Sequence, residues 1–380
     1  MKKIIKYIDK PLLLVTMFLF ILGLIMVFSA SNVTAYMSHA VKPYNYFMKQ
    51  GAFLIIGFIL FLIMIKFNTK SYGIFSWGLL LIGIAALALV LFMGEEKNQA
   101  ISWFKIGFLG IQPSEFIKVI SIVFLADYYE KNIKKLKKWI VSLFPIGVCV
   151  IVALLIFIQP DLGTTIIYCA IVGILFFAVP ISKEIKFKTF IIFVGLIVFA
   201  TMMVIGTGKG VLLERQIERF DFRNPCDKIL STGNQVCNCY IAIHNGGLTG
   251  VGLGNSTQKY LYLPEPYTDF IYAIIVEELG VITGVGIILA YIFILFRILM
   301  IGRKSPSNRG ATICYGVAAY IFLHIAVNLM GILGLIPITG VPLPFMSYGG
   351  SFTICLIAAL TMVQRVSVEN GILKEKAQRE

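Results

Sequence analysis

Ten apolar runs, each near the length of a bilayer crossing, dominate this sequence: residues 11–30, 47–65, 72–93, 113–127, 139–158, 162–180, 188–206, 270–300, 310–335 and 350–364. A helix needs about 20 such residues to cross roughly 30 Å of hydrocarbon. Inside that layer the backbone must satisfy its own hydrogen bonds, which helices do. The expected fold is therefore an all-α polytopic membrane protein with about ten transmembrane helices, a single integral membrane domain over 1–380. Only 14% of the 380 residues are charged and 58% are hydrophobic, whereas a soluble domain is about a quarter charged. The start, MKKIIKYIDKPLLLVTMFLFILGLIMVFSAS, has the layout of a signal peptide. Its apolar run from Pro11 to Phe28 is long enough to span and no clear A-x-A site follows, so it reads as a retained first helix.

Charge orients the helices. Placing the N-terminus inside puts two thirds of the 33 lysines and arginines on the cytoplasmic side, as the positive-inside bias requires. Both termini are then cytoplasmic, with a short tail over about 366–380. The net charge of +14 is mostly this topology signal and gives no reason to invoke nucleic acid. KNIKKLKKW (131–139) reads as a basic interfacial helix joining two spans.

The polar sequence of interest lies on the other side. A large outer loop, about 207–268, separates helices 7 and 8, and loops of that length are rarely without function. Its stretch LLERQIERFDFRNP carries Arg215, Arg219 and Arg223 at spacings that suit a short amphipathic surface helix. A glycine-rich segment, HNGGLTGVGLGN, follows and is suited to close backbone approach. Its amides are candidates for holding an anion, although no strand precedes it as a dinucleotide motif demands.

Three acids stand at helix starts on this outer side: Glu115 in QPSEF, Asp161 in QPDLGTT and Asp269 in LPEPYTDF. A carboxylate is favoured at a helix N-terminus by the backbone dipole, so a capping role competes with a chemical one at each. Glu115 and Lys118 are three residues apart and can pair. The run from Phe270 to Met300 is longer than a crossing needs, which places 269–279 above the hydrocarbon or beside a wet cavity. Glu277 and Glu278 fall on different faces of that helix, so they serve different partners. The loop ITGVPLPFMSYGGS (338–351), with Ser347, reads as a rigid wall of the same cavity, and Asn328 as an interhelical hydrogen-bond residue. Cys226, Cys237 and Cys239 lie outside. With His244 they make a formal Cys3His set, but one disulfide plus a free thiol, or three free thiols, fit better.

QPSEF, QPDLGTT, the glycine segment through TDFIYAIIVEELG, and ITGVPLPFMSYGGS, in this order on ten apolar runs, resemble the SEDS family of peptidoglycan glycosyltransferases, FtsW, RodA and SpoVE. The likeness covers nearly the whole chain, and its motif form is closer to the division branch, FtsW, than to the elongation branch, RodA. The resemblance implies an enzyme that polymerises lipid II, the undecaprenyl-linked disaccharide-pentapeptide, at the outer face of the cytoplasmic membrane, with the division septum as its expected place. It implies Asp269 as the catalytic residue and Glu115 and Lys118 as important for activity. It also implies a class B penicillin-binding protein transpeptidase and other division proteins as partners. Two departures stand out. Arginines often precede the tryptophan that here is Trp103, and this chain has only Lys105 after it; His324 stands where a glutamine is common.

The residues suit such chemistry. An acceptor hydroxyl attacks the anomeric carbon, and a carboxylate within reach takes its proton; Asp269 is the candidate base. The leaving pyrophosphate needs positive charge or a metal. Lys118, Lys259, Arg215, Arg219 and Arg223 are the candidate cations; no cofactor is assigned with certainty, and Mg2+ or Mn2+ is left open. Asp161, Glu278 and Ser347 are expected to support the site. A lipid II flippase and an elongation-type polymerase are the competing readings.

Overall fold

Each of the ten apolar runs lies in a helix. The computed structural model describes residues 2–37, 41–97, 100–106, 109–207, 225–228, 233–260 and 262–379. The helices are α1 (Lys2–Tyr7), α2 (Lys10–Met37), α3 (Asn45–Met64), α4 (Thr69–Met93), α5 (Pro113–Lys131), α6 (Trp139–Ile158), α7 (Leu162–Ala178), α8 (Lys183–Thr207), α9 (Asn234–Gly246), α10 (Ile271–Arg303), α11 (Asn308–Ile332) and α12 (Gly350–Ala377). Among the described residues seven, namely α2, α3, α4, α6, α10, α11 and α12, are long and apolar enough to cross a membrane, and α7 is a shorter apolar helix. Helices α2 to α4 leave Phe18, Ile21, Phe58, Ile82 and other large apolar side chains exposed, the surface of a protein whose outside is lipid.

α5 is the exception that explains its own composition. It is buried along nearly its whole length, including Glu115, Lys118 and Asp127. It packs against α4, α7, α11 and α12, so its polar groups meet protein partners rather than lipid. Buried charges persist only when paired.

Two faces follow from the contacts. At the face that carries both termini, charged residues lace the helix ends together. Arg297 of α10 pairs with Asp9. Asp127 of α5 meets Lys131 at 2.6 Å and Arg309 of α11 at 2.9 Å. Glu369 of α12 accepts from the Thr69 backbone at 2.7 Å and from Arg365 at 3.1 Å. The opposite face carries the long loops.

Two expectations are corrected. The chain is not purely helical: β1 (Glu95–Lys97), β2 (Ala100–Ile106) and β3 (Leu109–Ile111) form an antiparallel sheet above α4, in order β1-β2-β3. Lys105 is spent there on an exposed 3.3 Å pair with Glu95. Residues 131–139 do not form an interfacial helix; a single 3-10 turn, Ile133–Lys135, joins α5 to α6. The 207–268 loop holds a further helix, α9, which packs on α10. A Cys226–Cys237 disulfide ties residues 225–228 to α9, and Cys239 is free and buried. The expected amphipathic helix, with Arg215, Arg219 and Arg223, lies outside the described residues.

α10 is also not one continuous helix. Gly280 takes φ 83°, ψ 164°, so the segment splits into an outer piece, 271–279, and a longer piece, 281–303.

Candidate active site

The N-terminus of α5 carries a buried charge cluster. Pro113 sits in the first turn, where its missing N–H costs nothing. One turn on, Lys118 Nζ donates to Glu115 Oε1 at 2.8 Å and lies 3.0 Å from His324 Nε2 of α11. His324 Nδ1 is 2.8 Å from the Tyr320 carbonyl, an oxygen that only accepts. The imidazole therefore carries its proton on Nδ1 and uses Nε2 to accept from Lys118. Tyr320 closes the cluster by donating to Glu115 Oε2 at 3.4 Å. Glu115, Lys118 and His324 are each no more than 3% exposed.

Asp269 is different in kind. It is half-buried and sits two residues before the first helical residue of α10. Its backbone is held from two sides. The Asn328 side-chain amide of α11 donates to the Asp269 carbonyl and to the Val341 carbonyl, both at 2.8 Å. Ser347 Oγ donates to the neighbouring Thr268 carbonyl at 2.6 Å and accepts from the Leu343 amide at 2.8 Å. The Tyr348 amide donates to the Tyr267 carbonyl at 2.9 Å. The 338–351 loop is thus the clamp on the TDF turn, and a side chain on Gly340 would stand 3.4 Å from Asp269 Oδ2. Tyr46, Tyr267 and Tyr348 pack together beside this turn, with ring centroids 4.4 to 5.8 Å apart. Burial pushes the Tyr267 phenol far up and that of Tyr348 to about 12. Both remain protonated near neutrality, so neither offers a base.

The other helix starts reach the same clamp. Asp161 caps α7 by accepting from the Thr164 amide at 3.0 Å, and its second oxygen faces Gln112 Nε2 at 3.5 Å. The Gln112 amide donates to Ser351 Oγ at the start of α12, at 3.0 Å. Gly163 of α7 packs against Thr339 and Val341. The starts of α5, α7, α10 and α12 therefore converge on residues 338–351.

Part of the glycine segment is bonded to the broken helix. The break at Gly280 frees the carbonyls of Glu277 and Glu278, and these accept from the amides of Val251 at 2.9 Å and Gly252 at 3.0 Å. In return, the amides of Val281 and Ile282 donate to the carbonyls of Gly247 at 2.9 Å and Leu248 at 3.2 Å. The amides of Val251 and Gly252 are thus spent on mending a helix. The two glutamate side chains divide as their helix positions require. Glu277 accepts from Ser256 Oγ and from the Thr257 amide and hydroxyl. Glu278 accepts from Ser29 of α2 and pairs with Lys259 at 2.9 Å, both partners fully buried.

Two of the expected cations are thereby internal: Lys118 is neutralised by Glu115 and Lys259 by Glu278. Among the described residues no group of three or more His, Cys, Asp or Glu side chains comes together to cage a metal ion. Sequence reasoning gave Tyr320 no role, took His324 as a departure and Asn328 as an interhelical hydrogen-bond residue. Their spacing, i, i+4 and i+8 on one face of an apolar helix, was the signal that they form a unit.

A polytopic helical membrane protein whose converging helix starts surround one half-exposed aspartate is the class that fold and site define. The chain belongs to the FtsW/RodA/SpoVE family, described as cell cycle proteins, whose model matches residues 10–371. It is 36% identical over 376 residues to the probable peptidoglycan glycosyltransferase FtsW of Bacillus subtilis, covering 97% of this chain and 92% of that one. It is likewise 36% identical over 370 residues to the stage V sporulation protein E of the same organism, covering 94% and 96%. Among solved structures, a chain of a peptidoglycan synthase complex that coordinates polymerization and crosslinking superposes with TM-score 0.74 at 23% identity, covering 96% of this chain and 98% of that chain. The Thermus thermophilus rod shape determining protein RodA gives 0.66 at 22%, covering 95% and 96%. The fold is shared with both.

Proposed function

We propose that this protein is a peptidoglycan glycosyltransferase that polymerises lipid II at the outer face of the cytoplasmic membrane, in septal wall synthesis. The observation that carries the reading is Asp269: a half-exposed carboxylate at the loop-bearing face, its backbone pinned by Asn328 and the 338–351 clamp. A base must be reachable by substrate yet fixed in place. In the reaction, an acceptor sugar hydroxyl oxygen bonds to the anomeric carbon of the donor. Asp269 takes the hydroxyl proton, and the bond from that carbon to the phosphate oxygen breaks, releasing undecaprenyl pyrophosphate. Arg215, Arg219 and Arg223 are the proposed cations for the leaving group. Glu115, Lys118, Lys259, Glu278, Asp161 and Ser347 act by holding the scaffold. No step is routed through Mg2+ or Mn2+.

The reading extends to topology and partners. All ten long helices are taken to cross, with both termini cytoplasmic and residues 207–268 outside. The partner is a class B penicillin-binding protein. An apolar groove of about 420 Å3 between α7, α10 and α11, lined by Leu295, Leu299, Ala318, Ala319 and Phe322 among others, supports a seat for its single span. The flippase alternative is disfavoured because the polar motifs gather at one face, whereas the termini face carries ion pairs between helix ends. Purified protein in lipid vesicles should convert lipid II into glycan strands resolvable on a gel. Translocation of lipid II without polymer would support the flippase instead.

A further inference from the structure

The Glu115–Lys118 pair is buried to 3% and 1% exposure, with Tyr320 and His324 in contact with it, so it does not touch substrate. Something must carry its influence to the half-buried carboxylate of Asp269. We infer that the stripe Tyr320–His324–Asn328 on α11 is a positioning device that couples this pair to the backbone of Asp269. The inference rests on Asp269 being the base.

The geometry is continuous. Tyr320 donates to Glu115 at 3.4 Å, His324 accepts from Lys118 at 3.0 Å, and Asn328 donates to the Asp269 carbonyl at 2.8 Å. Successive members are four residues apart, so they stack along one face of one helix. The lower two fix where α11 stands against α5; the upper one fixes where the Asp269 turn and Val341 stand against α11. The middle and the upper end of the stripe are each held further. Phe352 of α12 stacks on the His324 ring with centroids 4.9 Å apart, and Asn328 spends both amide protons on backbone carbonyls. A shift of α11 against α5 therefore moves the aspartate. His324 is the joint of this arrangement, because it is the α11 side chain that bonds the lysine.

The experiment measures lipid II polymerisation by purified protein, as kcat and KM, together with thermal unfolding in detergent. The variants are His324→Leu, His324→Gln, Lys118→Met, the double variant H324L/K118M, and Asp269→Asn. A misplacement near 1 Å can cost about 10²-fold, so H324L and K118M should each lose kcat by one to two orders of magnitude with KM for lipid II nearly unchanged. H324Q should regain most of what H324L loses, because its amide oxygen can accept from Lys118 while its nitrogen donates to Tyr320. The double variant should be no slower than the slower single variant, since both break one linkage. The inference is overturned if the folded H324L enzyme keeps wild-type kcat, if H324Q is no better than H324L, or if the double loss equals the product of the single losses. If H324L does not fold, H324Q against K118M decides: wild-type-like kcat in the first with loss in the second supports the joint, and equal loss refutes it. A fully active D269N would instead sink the reading of Asp269, whatever the other variants do.

Discussion

At the scale of residues, neighbours in sequence have unrelated work. Glu277 and Glu278 are consecutive, yet one holds the turn at Ser256 and Thr257 and the other joins α2 to Lys259. The separation was legible, because consecutive helical side chains point about 100° apart. The partners were not. Lys259 reaches Glu278 only because the 247–252 backbone is hydrogen-bonded to the broken helix, and no side-chain pattern encodes that. Removing one partner of a fully buried ion pair costs about 3–5 kcal/mol. Glu278→Gln should therefore unfold at a distinctly lower temperature in detergent than wild type, and adding Lys259→Met should recover part of the loss. Wild-type thermal stability of Glu278→Gln would show that the pair is not buried as described. Among the acids at helix starts, position alone could not separate a cap from a base. Asp161 proves to be a cap and Glu115 an ion-pair partner.

At the scale of elements, the broken helix α10 sets the site. A mostly apolar run of 31 residues, 270–300, signalled excess length, but length alone does not say where a helix breaks. Gly280 and Gly250 meet back to back, each with φ 83°, and a Cβ on Gly250 would collide with the Glu278 carbonyl. Gly250→Ala must therefore both strain its own backbone, at about 1–2 kcal/mol, and push the glycine segment off the helix. Reduced thermal stability and reduced polymerisation are expected together. A Gly250→Ala protein with wild-type values of both would contradict the backbone pairing. The β1–β3 sheet escaped sequence reading because its strands are three to seven residues long, too short for alternation to show. α9 was hidden by its polar, glycine-flanked sequence, while the long apolar helices announced themselves.

At the scale of the whole molecule, asymmetry between the two faces is the organising fact. Ion pairs join helix ends at the face of the termini, whereas four helix starts and the 338–351 clamp assemble at the other. The proposed topology, which rests on the lysine and arginine bias, puts the first face in the cytoplasm. A membrane-impermeant thiol reagent applied to intact cells should label a cysteine introduced at position 255 and leave one at position 134 unlabelled; the reverse pattern would invert the molecule. The measurement that bears most directly on the account is lipid II polymerisation by purified Asp269→Asn beside wild type, with folding checked by thermal unfolding. Asparagine keeps the size and polarity of the side chain and removes the base. The account predicts a folded protein that still binds lipid II and polymerises it roughly 10²–10⁴-fold more slowly; polymerisation at the wild-type rate would contradict it.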